Sequence, residues 1–194
     1  MALIGNVTPS TASTHLNRLS GHDLVRVVVQ GKHRYYRLAS PEVGSVLEGL
    51  SVLAGRNGAA VARNVPDHLR AARSCYDHIA GSLGVGLHDR LIALEWIAPS
   101  EHGKDDSYDV TPKGTTALEA LGLNLDEARA ARRRFAFGCL DWTERRAHVG
   151  GALGAALLAL ALERKWVARQ RGDRALQVTA SGRRALLAQF GLRV

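Results

Sequence analysis

Residues 7–38, VTPSTASTHLNRLSGHDLVRVVVQGKHRYYRL, decide the reading of this chain. Thr8 is a suitable N-cap and Pro9 falls at the first helical position, where its missing N–H costs nothing. Ala12, Leu16 and Leu19 follow at i, i+4 and i+7, a narrow apolar stripe that would dock a helix on its own domain. The outer face carries Ser10, Thr11, Ser13, Thr14, His15, Asn17 and Arg18. These are short hydrogen-bonding groups and one long cation, a set suited to base edges and phosphates in a major groove. Leu24 to Val29 then reads as a β-branched strand, Gln30-Gly31-Lys32 as its turn, and His33 to Leu38 as the return. Lys32, His33, Arg34 and Arg37 place cations on the tip and the returning strand, where a phosphate backbone would lie. The competing reading is an ordinary helix and hairpin with solvated charges. Helix, spacing and basic hairpin agree better on DNA recognition.

The segment resembles the ArsR-type winged-helix transcriptional regulators. The resemblance rests on Val7-Thr8-Pro9-Ser10-Thr11-Ala12-Ser13, His15-Leu16, Leu19, and Gly31-Lys32-His33-Arg34-Tyr35-Tyr36-Arg37-Leu38. It implies a winged helix-turn-helix that represses transcription as a homodimer on double-stranded DNA. Members of that family carry a dimerisation helix and a positioning helix ahead of the recognition helix. Here only Met1 to Asn6 precede it, the equivalent of that helix's tail. The expectation is therefore a start placed too late or a natural truncation. Either would leave dimerisation and DNA affinity open.

Composition agrees with a basic globular protein. At 194 residues, one or two domains are expected, and 46% hydrophobic content is ample for a core. A net charge of +8 favours a polyanionic partner. The longest apolar run, Gly150 to Leu162, spans about thirteen residues, short of a membrane span, and ends in Glu163-Arg164-Lys165. Met1 to Gly5 lacks the features of a secretory signal, so two reduced cysteines in a cytoplasmic protein are expected.

Beyond the hairpin, Ser40 and Pro41 open another helix with a stripe of Val43, Val46, Leu47, Leu50 and Leu53, ending at Gly55. The resemblance gives a helix at this place a part in the dimer interface. The plain alternative is a helix packed only within its own chain. These signals divide the chain into a partial winged-helix domain (residues 1–55), a linker (56–68) and a larger effector domain (69–194).

The effector domain contains an internal repeat, about 69–123 and 135–194. HIAGSLGVGL, from His78, aligns without gaps to HVGGALGAAL, from His148. Trp96-Ile97-Ala98 matches Trp166-Val167-Ala168, and Val110-Thr111-Pro112-Lys113-Gly114 matches Val178-Thr179-Ala180-Ser181-Gly182. Each copy reads as helix, short hairpin, helix. A pseudo-symmetric pair sharing one core is the usual outcome of such repeats. The overall class is mainly α with small β-hairpins (α+β): a winged helix-turn-helix followed by two winged-helix-like repeats.

The repeat also organises the two cysteines. Cys75-Tyr76-Asp77-His78 opens the first copy, and Cys139-Leu140-Asp141-Trp142 precedes the second, whose histidine is His148. Read as i, i+3 on a helix, Cys75 and His78 converge, and pseudo-twofold packing would bring Cys139 and His148 to them. Thiolate with imidazole suits a divalent metal such as zinc, cadmium or lead. Asp77 and Asp141 are alternative ligands or groups orienting the histidines. The spacing matches no standard zinc finger, and the rival reading is a duplicated packing motif.

The remaining signals are weaker. His22, His68, His88 and His102 read as solvated, and so do Arg132-Arg133-Arg134 and Arg145-Arg146. The glycines of GSLGVG and GGALGA suggest close helix–helix packing rather than phosphate loops, since no Lys-Ser/Thr follows. Trp96, Trp142 and Trp166 read as core. Three function classes stand: a DNA-binding repressor that releases DNA when a thiophilic metal or other effector binds, a dimerisation or effector-binding module without DNA affinity of its own, and a thiol enzyme with Cys75 or Cys139 as nucleophile and His78 as base. The last has no triad or oxyanion element behind it, so no enzymatic activity is expected.

Overall fold

The computed structural model describes residues 6–30, 33–40, 42–44, 46–47, 50, 65–101, 106–170 and 173–194. Compact units form on either side of the junction between Gly58 and Ala59.

In the first unit, α1 (Pro9–Gly21) starts as its sequence dictates: the Thr11 N–H donates to Thr8 Oγ1 (3.2 Å), and Pro9 fills the first turn. Strands β1 (Val25–Gln30) and β2 (His33–Leu38) pair antiparallel, with Val29 opposite Arg34 and Arg26 opposite Arg37. Past them, Ser40 Oγ accepts from the Val43 N–H at 3.5 Å, and residues 42–44, 46–47 and 50 are helical. Leu53, Gly55 and most of the expected linker lie outside the described residues. No residue of α1 is buried.

The second unit holds the core. After the short α2 (Asp67–Ala71), one series of elements runs through twice. The first passage is β3 (Arg73–Cys75), β4 (His78–Ala80), α3 (Gly81–Ala93), β5 (Ile97–Pro99), β6 (Tyr108–Val110) and α4 (Pro112–Ala120). The linking α5 (Leu125–Ala130) follows. The second passage is β7 (Phe137–Leu140), β8 (Ala147–Gly150), α6 (Gly151–Glu163), β9 (Val167–Arg169), β10 (Leu176–Val178) and α7 (Ala180–Phe190). Each passage therefore opens with a hairpin where helix was expected. His78 and His148 lie on strands, and the helices begin only at Gly81 and Gly151.

The two passages interlock. The Ser74 N–H donates to Arg174 O (2.8 Å) and the Leu176 N–H to Ala72 O (2.9 Å), stitching β3 beside β10. Reciprocally, the Gly138 N–H donates to Asp106 O (2.8 Å) and the Tyr108 N–H to Ala136 O (3.1 Å), stitching β7 beside β6. Each opening hairpin thus finds backbone partners in the other passage, as buried peptide groups require. The helices exchange in the same way, α3 packing on β8 and α6 on β4. One core results, with Leu83, Leu87 and Leu91 of α3 meeting Leu153, Leu157 and Leu158 of α6. Trp96 and Trp166 pack on the same ring, Phe190, at 5.5 and 6.3 Å. Both are part-buried at the edge of this core, while Trp142 lies beneath the Arg73 guanidinium.

Candidate functional site

Cys75, His78, Cys139 and His148 meet in the second unit, with one potential ligand atom from each lying within 4.8 Å of the others. The secondary structure behind this differs from the expected helix. Cys75 faces His78 across the β3–β4 pair, and Cys139 faces His148 across the β7–β8 pair. Directly opposed strand residues hold their side chains side by side. The unequal Cys-to-His spacings are therefore one structural relationship with two turn lengths: Tyr76-Asp77 in one hairpin, residues 141–146 in the other.

Two glycines let the halves close over these residues. A Cβ on Gly84 would lie 2.3 Å from Ile79 O and 3.4 Å from His148 Cβ. A Cβ on Gly154 would lie 2.3 Å from Val149 O and 2.9 Å from His78 Cβ. These glycines serve a helix seated on its own strand and on the other half's histidine. That corrects the expectation of helix–helix packing.

The polar surroundings suit a cation. His78 is 4% exposed and His148 1%. His78 Nδ1 lies 3.3 Å from Asp77 Oδ1, leaving Nε2 buried without a hydrogen-bond partner. His148 has neither nitrogen hydrogen-bonded, and Asp141 Oδ2 stands 3.7 Å from its Nδ1. A buried imidazole nitrogen left bare is costly unless something fills the gap. The two sulfurs lie 3.9 Å apart. Thiolates 2.3 Å from a tetrahedral zinc ion would sit about 3.8 Å apart, so the pair needs almost no adjustment. The neighbouring Cys75 thiol, resisted by burial and aided by the His148 and His78 imidazoles, holds the Cys139 thiol far below its ordinary range. Burial works to lower the pKa of His78, but Cys139 and Asp77 outweigh it and the net shift is upward.

Asp141 is not placed as a ligand. Its carboxylate accepts two hydrogen bonds from Arg73 (2.9 and 2.8 Å), one from the Gly81 N–H (2.7 Å), and others from Thr143 and Glu144. Asp77 likewise accepts from Arg133 while reaching His78. Asp77 therefore occupies the position of a group that orients His78, while Asp141 is engaged by Arg73 and the backbone and makes no hydrogen bond to His148. Arg133 and Arg134, read as solvated, are exposed and ion-paired with Asp77 and Asp106. His88 departs from expectation: it is part-buried, 2.9 Å from Tyr108 Oη, and burial lowers its pKa. His68 is half-exposed and pairs with Asp173 at 3.0 Å. His102 lies outside the described residues.

In the first unit, Ser10, Ser13, Thr14, His15, Asn17 and Arg18 are exposed on α1, and Thr11 is half-buried. Ser10 and Thr11 hydroxyls lie 2.9 and 2.8 Å from Thr8 Oγ1, while Ser13 and Thr14 donate back to the carbonyls of Pro9 and Ser10. Arg34 and Arg37 are exposed on β2. Lys32 and the side chain of His33 lie outside the described residues. The register adds Arg26, exposed and directly opposite Arg37. Sequence reading passed over it because it stands alone among valines. Counting back across the hairpin turn would have found it.

An exposed, capped helix running into a basic hairpin, in one chain with a buried thiol–imidazole cluster, belongs with DNA-binding regulators. The chain is 37% identical over 196 residues to the uncharacterized HTH-type transcriptional regulator YdfF of Bacillus subtilis (strain 168), across all of its own length and 85% of that protein. It belongs to the HTH-type transcriptional regulators. No family model matches it. No solved structure matches it. Among the described residues, no helix is long and apolar enough to cross a membrane.

Proposed function

We propose that this chain is a winged-helix repressor of ArsR type, reading DNA through residues 9–38 and binding a thiophilic divalent metal in its second unit. The observation that carries the metal reading is the convergence of four ligand atoms, two sulfurs and two imidazoles, within 4.8 Å. Two thiolates balance a divalent ion, so the filled site would carry no net charge into the core. Sulfur with nitrogen favours zinc or cadmium over calcium or magnesium. The metal would tie the duplicated halves of residues 69–123 and 135–194 together, and DNA affinity would change only insofar as the two DNA-binding states bind metal differently.

In this reading Ser10, Ser13, Thr14, His15 and Arg18 face the groove, and Lys32, His33, Arg34 and Arg37 face the phosphates. The protein acts as a homodimer, the helix beginning at Ser40 offering exposed Val46, Leu47 and Leu50 to a second copy. The test is fluorescence anisotropy of a labelled duplex from the chain's upstream region, with and without zinc or cadmium. The reading expects tight, salt-sensitive binding that metal weakens at least tenfold. In parallel, cobalt titration should give sulfur-to-metal charge-transfer absorption in the wild type that is at least halved in Cys75→Ser, where a single thiolate remains. Binding indifferent to metal would refute the effector role. Cobalt spectra unaltered by Cys75→Ser would remove that ligand.

A further inference from the structure

The Cys75 and Cys139 sulfurs are 3.9 Å apart, about 1.9 Å more than a disulfide bond, and they come from hairpins in different halves of the second unit. Cys75 is 6% exposed, whereas Cys139 is only part-buried. The bare Nε2 of His78 and nitrogens of His148 share the same small space. A close sulfur pair with one reachable member, beside proton acceptors, is arranged for more than coordination. We propose that Cys75 and Cys139 form an oxidisable dithiol, a modification site for hydroperoxides, closing to a disulfide that crosslinks the two halves. As a means of regulating the same site it rests on the metal reading, but the oxidation itself requires no metal.

The chemistry balances with the hydroperoxide as sole oxidant. The Cys139 sulfur attacks the peroxide oxygen and the O–O bond breaks, leaving a sulfenic acid at Cys139. The thiol proton goes with the departing oxygen as water, or as an alcohol from an organic hydroperoxide. The Cys75 sulfur then attacks the Cys139 sulfur, the S–O bond breaks, and its oxygen leaves as water with the Cys75 proton. Two thiols and one hydroperoxide give one disulfide and two neutral oxygen products. The imidazoles of His78 and His148 can carry the protons between sulfur and oxygen. A metal held by both sulfurs blocks the first step, and the disulfide removes two ligands of the metal. Each state therefore excludes the other.

The test uses the full chain stripped of metal by chelator, treated with one equivalent of hydrogen peroxide. Thiol titration should fall from two per chain to none. Peptide mapping without reductant should show the Cys75 and Cys139 peptides joined, two hydrogens lighter, and a dithiol reductant should restore both thiols. Zinc added first should slow the loss at least tenfold. In Cys75→Ser, a sulfenic-acid trap such as dimedone should label Cys139. In Cys139→Ser, loss of the Cys75 thiol should be at least tenfold slower than loss of thiols in the wild type. Unreacted thiols under excess peroxide, separate overoxidised cysteines, or crosslinks only between chains would overturn the proposal. The two readings fail separately. A chain that binds no metal but forms the disulfide sinks only the metal reading, and one that binds metal but forms no disulfide sinks only this one.

Discussion

Arg73 and Asp141, which lie sixty-eight positions apart in the chain, form a buried ion pair in the second unit, Arg73 Nη2 donating to both carboxylate oxygens at 2.9 and 2.8 Å. Their side chains are 1% and 0% exposed. Arg73 stands at the start of β3 and Asp141 just past the end of β7, so the pair joins the strands that deliver Cys75 and Cys139. Removing one partner strands the other charge in the core. Asp141→Ala should cost about 3–5 kcal/mol in urea unfolding. Arg73→Met added to it should recover part of that loss, because no charge is then left unpaired. A cost under about 1 kcal/mol, within the usual range for an exposed pair, would mean the pair is solvated in solution.

The same pair sets an acid limit on stability. Burial alone would raise the carboxyl pKa of Asp141, but Arg73, Thr143 and the Glu144 N–H outweigh it and hold it well below the ordinary range. A group depressed in the folded state stabilises above its unfolded pKa of about 3.9 and loses that contribution as pH falls toward the folded value. Stability measured by urea unfolding should therefore fall steeply below about pH 4. Asp141→Asn should show a weaker fall across that window. Equal acid sensitivity in the two proteins would place the titrating group elsewhere.

Gly84 and Gly154 offer a test of how the halves close. Alanine at either position brings a Cβ within 2.3 Å of a strand carbonyl, which must move. Overpacking of this kind costs about 1–3 kcal/mol, against a helix-propensity gain of about 1. Gly154→Ala also meets His78 Cβ at 2.9 Å, closer than the 3.4 Å between a Gly84→Ala methyl and His148 Cβ. Gly154→Ala should therefore weaken cobalt binding more than Gly84→Ala. Gly21, at the end of α1, has nothing within 4 Å of such a methyl, and Gly21→Ala should be neutral or slightly stabilising.

Much of this was legible in the sequence, for identifiable reasons. Thr8-Pro9 fixed the start of α1, and the β-branched run with its Gln30-Gly31-Lys32 turn signalled the β1–β2 pair. The repeat alone points to Cys75, His78, Cys139 and His148, the four residues that the opening hairpins bring together. What the sequence hid was the opening hairpin of each half. Ser74-Cys75 and His78-Ile79-Ala80 are too short to show a period of two, and the glycines after them lent themselves to helix. The pairing of β3 with β10's end and of β7 with β6's end is long-range. No local pattern could announce the Arg73–Asp141 contact that accompanies it.

Arg26 and Arg37 face each other across the first hairpin, so in the free protein two like charges stand side by side. Such a pair costs about 0.2–1 kcal/mol unless an anion lies between or above them. Alternation along the strands puts Arg34 on the opposite face, with half-buried Val25 and Tyr36. Arg26→Ala should therefore move stability and function in opposite directions. The free protein should unfold at slightly higher urea, while DNA affinity drops and the slope of log affinity against log salt shrinks by about 0.9, one phosphate contact. Arg37→Ala should behave alike, and the double variant should be little more stable than either single one, since one removal already relieves the pair. Arg34→Ala should lower the salt slope without the gain in stability, because nothing of like charge opposes it across the strand. If Arg26→Ala stabilised the chain yet left the slope untouched, the opposed arginines would be a surface accident and the phosphate contact would belong to Arg34's face alone.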